Sequence, residues 1–204
     1  VIARLAGLFV LLAVPAQAQV VGDDAELVQV RPGPKRHFNG DQYDGPGKVR
    51  AAYVVAGDRL VAGEVRGNYR LVTFVPAGGG RHTTGWIESA ALTKVALPQP
   101  AQASWVGNWT GWYAEIAIVR GKQPDTLKAS GEATYGMHDK DRVARGAINF
   151  GDFDGEGQPS GNRLTIVSDE RCTVDLRLLG PYLLAVDNGN CGGLNVSFSG
   201  VYRR

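Results

Sequence analysis

The chain has 204 residues, and its 22 Lys and Arg against 20 Asp and Glu leave a formal charge of +2. That near-balance excludes the strong basic field on which nucleic-acid or anionic-membrane association depends, so neither partner class is expected. With 28 Gly, 10 Pro and only short apolar stretches, the composition favours strands and turns over long helices, and the length admits one large domain or two small ones.

Residues 1–18 carry Arg4 near their start, then an apolar run over residues 5–14, and end Pro15-Ala16-Gln17-Ala18. This is the layout of a secretory signal peptide, with cleavage expected between Ala18 and Gln19 and a periplasmic or secreted product. The apolar run is about half the length that a membrane-spanning helix needs, so no membrane anchor is expected. In an oxidising compartment Cys172 and Cys191, the only cysteines, most simply form a disulfide, with free thiols or metal ligands as the alternatives.

Strand patterns are read at residues 27–30, 52–55, 59–66, 69–75 and 85–88, with an irregular loop through Pro32, Gly33, Pro34 and residues 40–47. Gly67-Asn68 between Val65 and Tyr69 is a two-residue hairpin signal. Five short strands joined by tight turns predict a small barrel over residues 19–95. Residues 96–104, rich in Pro and Ala and free of charge, read as a linker.

Beyond the linker, strands are expected at 105–110, 113–120, 126–135, 143–153, 163–168, 172–178, 182–187 and 195–202, with Leu179-Gly180-Pro181 as a hairpin turn. Ala114, Ile116 and Ile118 alternate with Glu115, and Val174, Leu176 and Leu178 alternate with Asp175 and Arg177, so one face of these strands is buried. Eight antiparallel strands over residues 105–204 point to an up-and-down barrel or a sandwich. The fold class expected is all-β, a small barrel followed by a larger eight-stranded one with one disulfide.

Tyr53 to Leu60, with its Gly57-Asp58 turn, then Arg66-Gly67-Asn68-Tyr69-Arg70-Leu71-Val72, then Thr84-Gly85-Trp86-Ile87 and the Ser89 to Leu92 turn resemble the bacterial SH3-like (SH3b) family. The likeness covers about residues 27–95, with a long insertion at 35–48. It implies an SH3-like barrel whose ligand groove displays Tyr69 and Trp86, and a cell-wall peptide or envelope protein as partner. Gly107-Asn108-Trp109 near the start of the second module and Tyr202-Arg203-Arg204 at its end resemble the calycin (lipocalin-like) arrangement. There an opening-strand Trp, here Trp109, closes the barrel and a basic residue of the last strand, here Arg203, packs over it. The stretch from Cys172 to Phe198 resembles the C-terminal modules of uncharacterised bacterial periplasmic proteins, and some bacterial lysozyme inhibitors share a small disulfide-linked barrel of this kind.

Sites for chemistry are sparse. Asp152-Phe153-Asp154-Gly155-Glu156-Gly157 partly imitates a calcium loop, but Arg163 stands where the bidentate Glu belongs, so a solvated hairpin turn is expected. His37, His82 and His138 have no zinc-ligand spacing, and His138, Asp139 and Asp141 read as a polar turn. The chain holds neither a Gly-x-Ser-x-Gly elbow nor a Walker loop, and every His precedes both cysteines, the reverse of the order in cell-wall peptidases that accompany SH3b modules. No catalytic residue, metal or cofactor is expected, and no pattern sets an oligomeric state. Asn188, Asn190 and Asn195 lie in a Gly- and Asn-rich loop pinned by Cys191 and are candidate recognition residues. Three functions follow: an exported, non-enzymatic envelope binding protein; an inhibitor of lysozyme or another secreted hydrolase; or capture of a small apolar molecule in a hollow barrel. The bulky inward Ile116, Ile118, Leu176 and Leu178 weigh against the last.

Overall fold

The computed structural model describes residues 21–77, 81–168 and 171–204; the expected signal segment lies outside the described residues. Among those described, no helix is long and apolar enough to cross a membrane. Two antiparallel sheets follow one another along the chain.

The first has strands β1 (Glu26–Val30), β2 (Arg36–Asp41), β3 (Gly45–Val54), β4 (Arg59–Arg66), β5 (Tyr69–Phe74), β6 (Thr83–Glu88) and β7 (Leu92–Lys94), in the order β3-β2-β6-β5-β4-β1-β7. The expected hairpin at Gly67-Asn68 is present, with Arg66 paired to Tyr69. The stretch expected as a loop is instead the β2–β3 hairpin. Its turn is held by the Asp41 carboxylate, which accepts from the N–H groups of Tyr43 (2.8 Å) and Asp44 (2.9 Å). Register shifts on both sides of Asn39, and a sequence in which few side chains reach the core, hide the alternation. Val28, Val30, Phe38, Val54, Leu60, Ala62, Val72 and Ile87 pack into one core on one side of the sheet.

The second sheet has strands β8 (Gly107–Thr110), β9 (Ala114–Arg120), β10 (Leu127–Tyr135), β11 (Asn149–Gly157), β12 (Arg163–Val167), β13 (Thr173–Leu179), β14 (Tyr182–Asp187) and β15 (Gly200–Arg203). Their order, β11-β10-β9-β8-β15-β14-β13-β12, makes a nearly closed barrel. Its ends meet where the Asp154 N–H donates to the Ser168 hydroxyl at 3.0 Å. The interior is filled by Trp105, Trp109, Ile116, Ile118, Leu127, Phe153, Leu164, Ile166, Leu176, Phe198 and Tyr202, with Phe153 and Phe198 edge to face at 4.8 Å. Cys172 and Cys191 form the disulfide, with 4.7 Å between their Cα atoms.

Three expectations for this module are corrected. Residues 143–153 are not one strand: the Asp139 side chain caps a short helix α1 (Lys140–Ala144) by accepting from the N–H groups of Asp141 and Arg142, and β11 starts only at Asn149. The acidic run therefore lies within β11 rather than in a turn. There Phe153 points inward, while Asp154 pairs outward with Lys128 at 2.9 Å and Glu156 accepts from the Thr126 hydroxyl and the Lys122 N–H. Those donors hold the Glu156 carboxyl below its ordinary pKa. Residues 195–199 are loop rather than strand, because Asn195 takes a left-handed φ of 66° and the Val196 N–H turns back to Gly193 O.

The two sheets share a third core. Leu179, Tyr182, Leu184 and Val201, on the outer side of the barrel, pack against Val21, Ala25, Leu27, Val61, Leu71, Val75 and Trp86. The seam is also bonded: the Tyr182 hydroxyl donates to Arg59 O at 2.6 Å and the Arg203 guanidinium to Val75 O at 2.7 Å. The linker ends in a 3-10 turn (Gln102–Ser104), and the Gln102 amide donates to Pro124 O and Thr126 O, so this end of it is tied to the second module.

Candidate functional site

A cleft of about 470 Å³ opens on the seam between the sheets, lined from one side by Gln42, Thr73, His82 and Thr84 and from the other by Trp112, Tyr113, Asp187, Ser197 and Ser199. Trp112 and Tyr113 stand in the β8–β9 turn, closed by the Gly111 N–H to Ala114 O at 2.8 Å. Only glycine fits at position 111, since a Cβ there would lie 2.7 Å from the Tyr202 ring.

His138 stacks on the Trp112 indole at 4.6 Å with 27° between the planes, and the Tyr113 ring meets it edge-on at 5.8 Å. His138 Nε2 lies 3.0 Å from Trp112 O. A carbonyl only accepts, so this nitrogen carries the proton and the ring is held at both its face and its edge. His82, from the other sheet, lies 6.5 Å from Trp112. Its Nε2 is buried with no hydrogen-bond partner among the described residues, and burial pulls its pKa below the ordinary value, which favours the neutral imidazole.

The far wall is organised by Asp187. One carboxylate oxygen accepts from the Gly189 N–H at 2.7 Å; the other accepts from the Ser197 hydroxyl (2.6 Å), the Phe198 and Ser199 N–H groups and the Ser199 hydroxyl. Its charge is thus spread over donors that fix the loop, and the two serine oxygens in turn accept the Ser199 and Asp187 N–H groups, which leaves each one lone pair. Thr73 and Thr84 share a hydrogen bond of 2.8 Å. Among the described residues no Lys or Arg lines the cleft.

Tyr69 and Trp86 do not share a groove: Tyr69 lines a surface cavity of about 660 Å³ with Asn68, Arg70 and Glu88, whereas Trp86 is absent from it. Trp86 is fully buried, its Nε1–H donates to Asp41 O at 2.6 Å, and the Arg66 guanidinium lies 5.1 Å over its ring. The β2–β3 hairpin supplies that acceptor, which makes Trp86 a core residue. Tyr69 is half-buried and packs against the edge of the same core.

Trp109 is fully buried inside the barrel, with its Nε1–H on Trp105 O at 2.9 Å. The basic residue over it is Arg204, at 4.5 Å, and not Arg203, which lies 5.6 Å over Tyr182 at the seam. Side chains alternate along a strand, so with Tyr202 inward Arg203 must face out. At Gly107 φ is +144°, and a Cβ there would sit 3.1 Å from the Arg204 side chain.

Asn188 donates to Arg171 O at 2.6 Å and accepts from the Asn190 N–H, so it shapes the loop. Asn190 and Asn195 are exposed. Beside them Leu194 is 78% exposed, and the loop is tied to β11 by Asn149 donating to Leu194 O and the Gly193 N–H donating to Phe150 O.

The structure thus adds His82, Trp112, Tyr113, His138 and Asp187 to the residues of interest. Two adjacent aromatics in a turn, Trp112-Tyr113, are the one local signal for them, since large rings there need a reason to stay out of the core. Among the described residues no group of three His, Cys, Asp or Glu could hold a metal ion. Comparison with protein-family models, with curated proteins and with solved structures finds no match for this chain.

Proposed function

We propose that the chain is an exported, non-enzymatic binding protein of the cell envelope whose ligand, a cell-wall component, seats in the cleft between its two modules. The cleft itself carries this reading: ligand sites favour junctions between structural units, and this one combines aromatic rings with a few convergent polar groups in a volume of the right size. The disulfide supports an oxidising location. Kinship with SH3b and calycin barrels is part of the proposal, supported by the order of turns in the first sheet and by Trp109 lying under a terminal arginine in the second. Co-sedimentation with purified peptidoglycan tests the reading. Retention by the unaltered protein and its loss in Trp112→Ala are expected; no retention, or equal retention, overturns it.

A second reading, inhibition of lysozyme or another secreted hydrolase, is favoured by one observation. The disulfide-pinned loop presents Leu194 (78% exposed) beside Phe150 (63% exposed), a fixed apolar tip of the kind that anchors in a partner's pocket. A turbidity assay with lysozymes of several types checks it: inhibition relieved by Leu194→Asp is expected, and no inhibition at micromolar protein discards it. Capture of an apolar molecule inside the barrel is not retained, because Trp105, Trp109, Phe153 and Phe198 fill the interior.

A further inference from the structure

We infer that the cleft takes a neutral saccharide, of about two or three sugar units, seated against Trp112 and hydrogen-bonded by Gln42, Ser197 and Ser199. This deepens the binding-protein reading and rests on it. The chemistry of the walls selects among ligand classes one at a time.

An anionic ligand lacks a counter-charge among the described residues, where no Lys or Arg lines the cleft, and the Asp187 carboxylate repels it. A cation finds no free carboxylate, because both Asp187 oxygens are already engaged by five N–H and O–H donors. A long acyl chain needs an apolar tunnel, whereas here hydroxyl and amide groups face the rings. A pyranose has the complementary form. Its axial C–H groups make an apolar face for an aromatic ring, and its rim hydroxyls both donate and accept.

The supply of donors and acceptors matches that rim. The Gln42 amide offers both. The Ser197 and Ser199 hydroxyls direct their hydrogens to Asp187, and each already accepts one backbone N–H, from Ser199 and Asp187 respectively, which leaves each oxygen one lone pair for a ligand donor. The His82 ring, its Nε2 buried, closes the first-sheet side of the cleft. The platform is already rigid, because His138 covers one face of Trp112 and is itself fixed to Trp112 O, so little ordering is required on binding. The volume of about 470 Å³ falls in the range of small-molecule sites.

The test is titration calorimetry with two neutral probes, a β-1,4-linked N-acetylglucosamine trimer and maltotriose, beside citrate and a trialanine peptide. At least one sugar is expected to bind with micromolar to millimolar Kd, weakened about tenfold or more in Trp112→Ala and in Gln42→Ala. Both variants are first shown to melt as the parent does; Gln42→Ala, at a side chain outside the core, guards against a folding defect in the other. Binding of the peptide or of citrate, lost in Trp112→Ala, with neither sugar bound, overturns the saccharide assignment and leaves the cleft as a site. No Trp112-dependent binding of any probe, together with no retention on peptidoglycan, overturns both.

Discussion

Leu184→Ala removes a side chain that is 1% exposed and lies on the outer side of β14, in the core shared with Val61, Leu71 and Trp86 of the first sheet. Truncation of a buried Leu costs about 2–5 kcal/mol, and a site walled by two sheets has little room to collapse, so about 3 kcal/mol is expected. Because the seam joins the two modules, the loss falls on both. Amide exchange in β4 and β5 should accelerate by about 10²-fold, the equivalent of that free energy, alongside exchange in β9 and β10. Hydrogen exchange read by mass spectrometry measures the two sets in one experiment. Tyr182→Phe, which removes the bond to Arg59 O, should act on both sheets in the same way with about 1 kcal/mol. Faster exchange confined to the second sheet, with β4 and β5 unchanged, would refute the coupling and make the modules independent.

Burial pushes the Tyr202 phenol well above its ordinary value of 10.0, and raises Tyr182 as well. A pKa raised on folding gives stability that is complete below pH 10 and declines as pH rises above it, because the unfolded chain then releases the proton first. Denaturant midpoints followed from pH 8 upward, on the order of one pH unit per step, should fall beyond about pH 10; a limb unchanged in Tyr202→Phe would count against this assignment. Reduction of Cys172–Cys191, which closes a loop of sequence separation 19, should cost about 3 kcal/mol and loosen residues 188–196 first, visible as a lower Tm with reductant. Arg204→Ala should alter Trp109 fluorescence and cost about 0.5–1 kcal/mol, while Arg203→Ala, which loses the bond to Val75 O, should leave that signal alone.

What could be read from the sequence was the barrel, because its strands have one wet face. Ile116 and Ile118, and Val174, Leu176 and Leu178, stand inward where alternation put them. Strands wet on neither face carry a different signature. Tyr182-Leu183-Leu184-Ala185 has no alternation because Leu183 and Ala185 face the barrel while Tyr182 and Leu184 face the other sheet. Leu60-Val61-Ala62 divides between two cores in the same way, and together these runs mark the seam. The β2–β3 hairpin was hidden because Phe38 is the only β2 side chain fully in the core. The cleft was illegible for another reason. His82, Trp112 and Asp187 come from three separate connections or strand ends, and no periodicity links residues that only the docking of two sheets brings together.

The placement of β15 orders events in time. This strand, Gly200–Arg203, lies between β14 and β8, so β8 stays without its second neighbour until nearly the last residues of the barrel have arrived. The same four residues put Val201 and Arg203 onto the first sheet. Barrel closure therefore also completes the seam begun by Leu179, Tyr182 and Leu184, and it waits on a pairing that spans almost the whole second module, a long-range closure of the slow kind. Until it happens the seam lacks Val201 and the Arg203 bond to Val75 O, and apolar surface left open in a folding chain favours self-association.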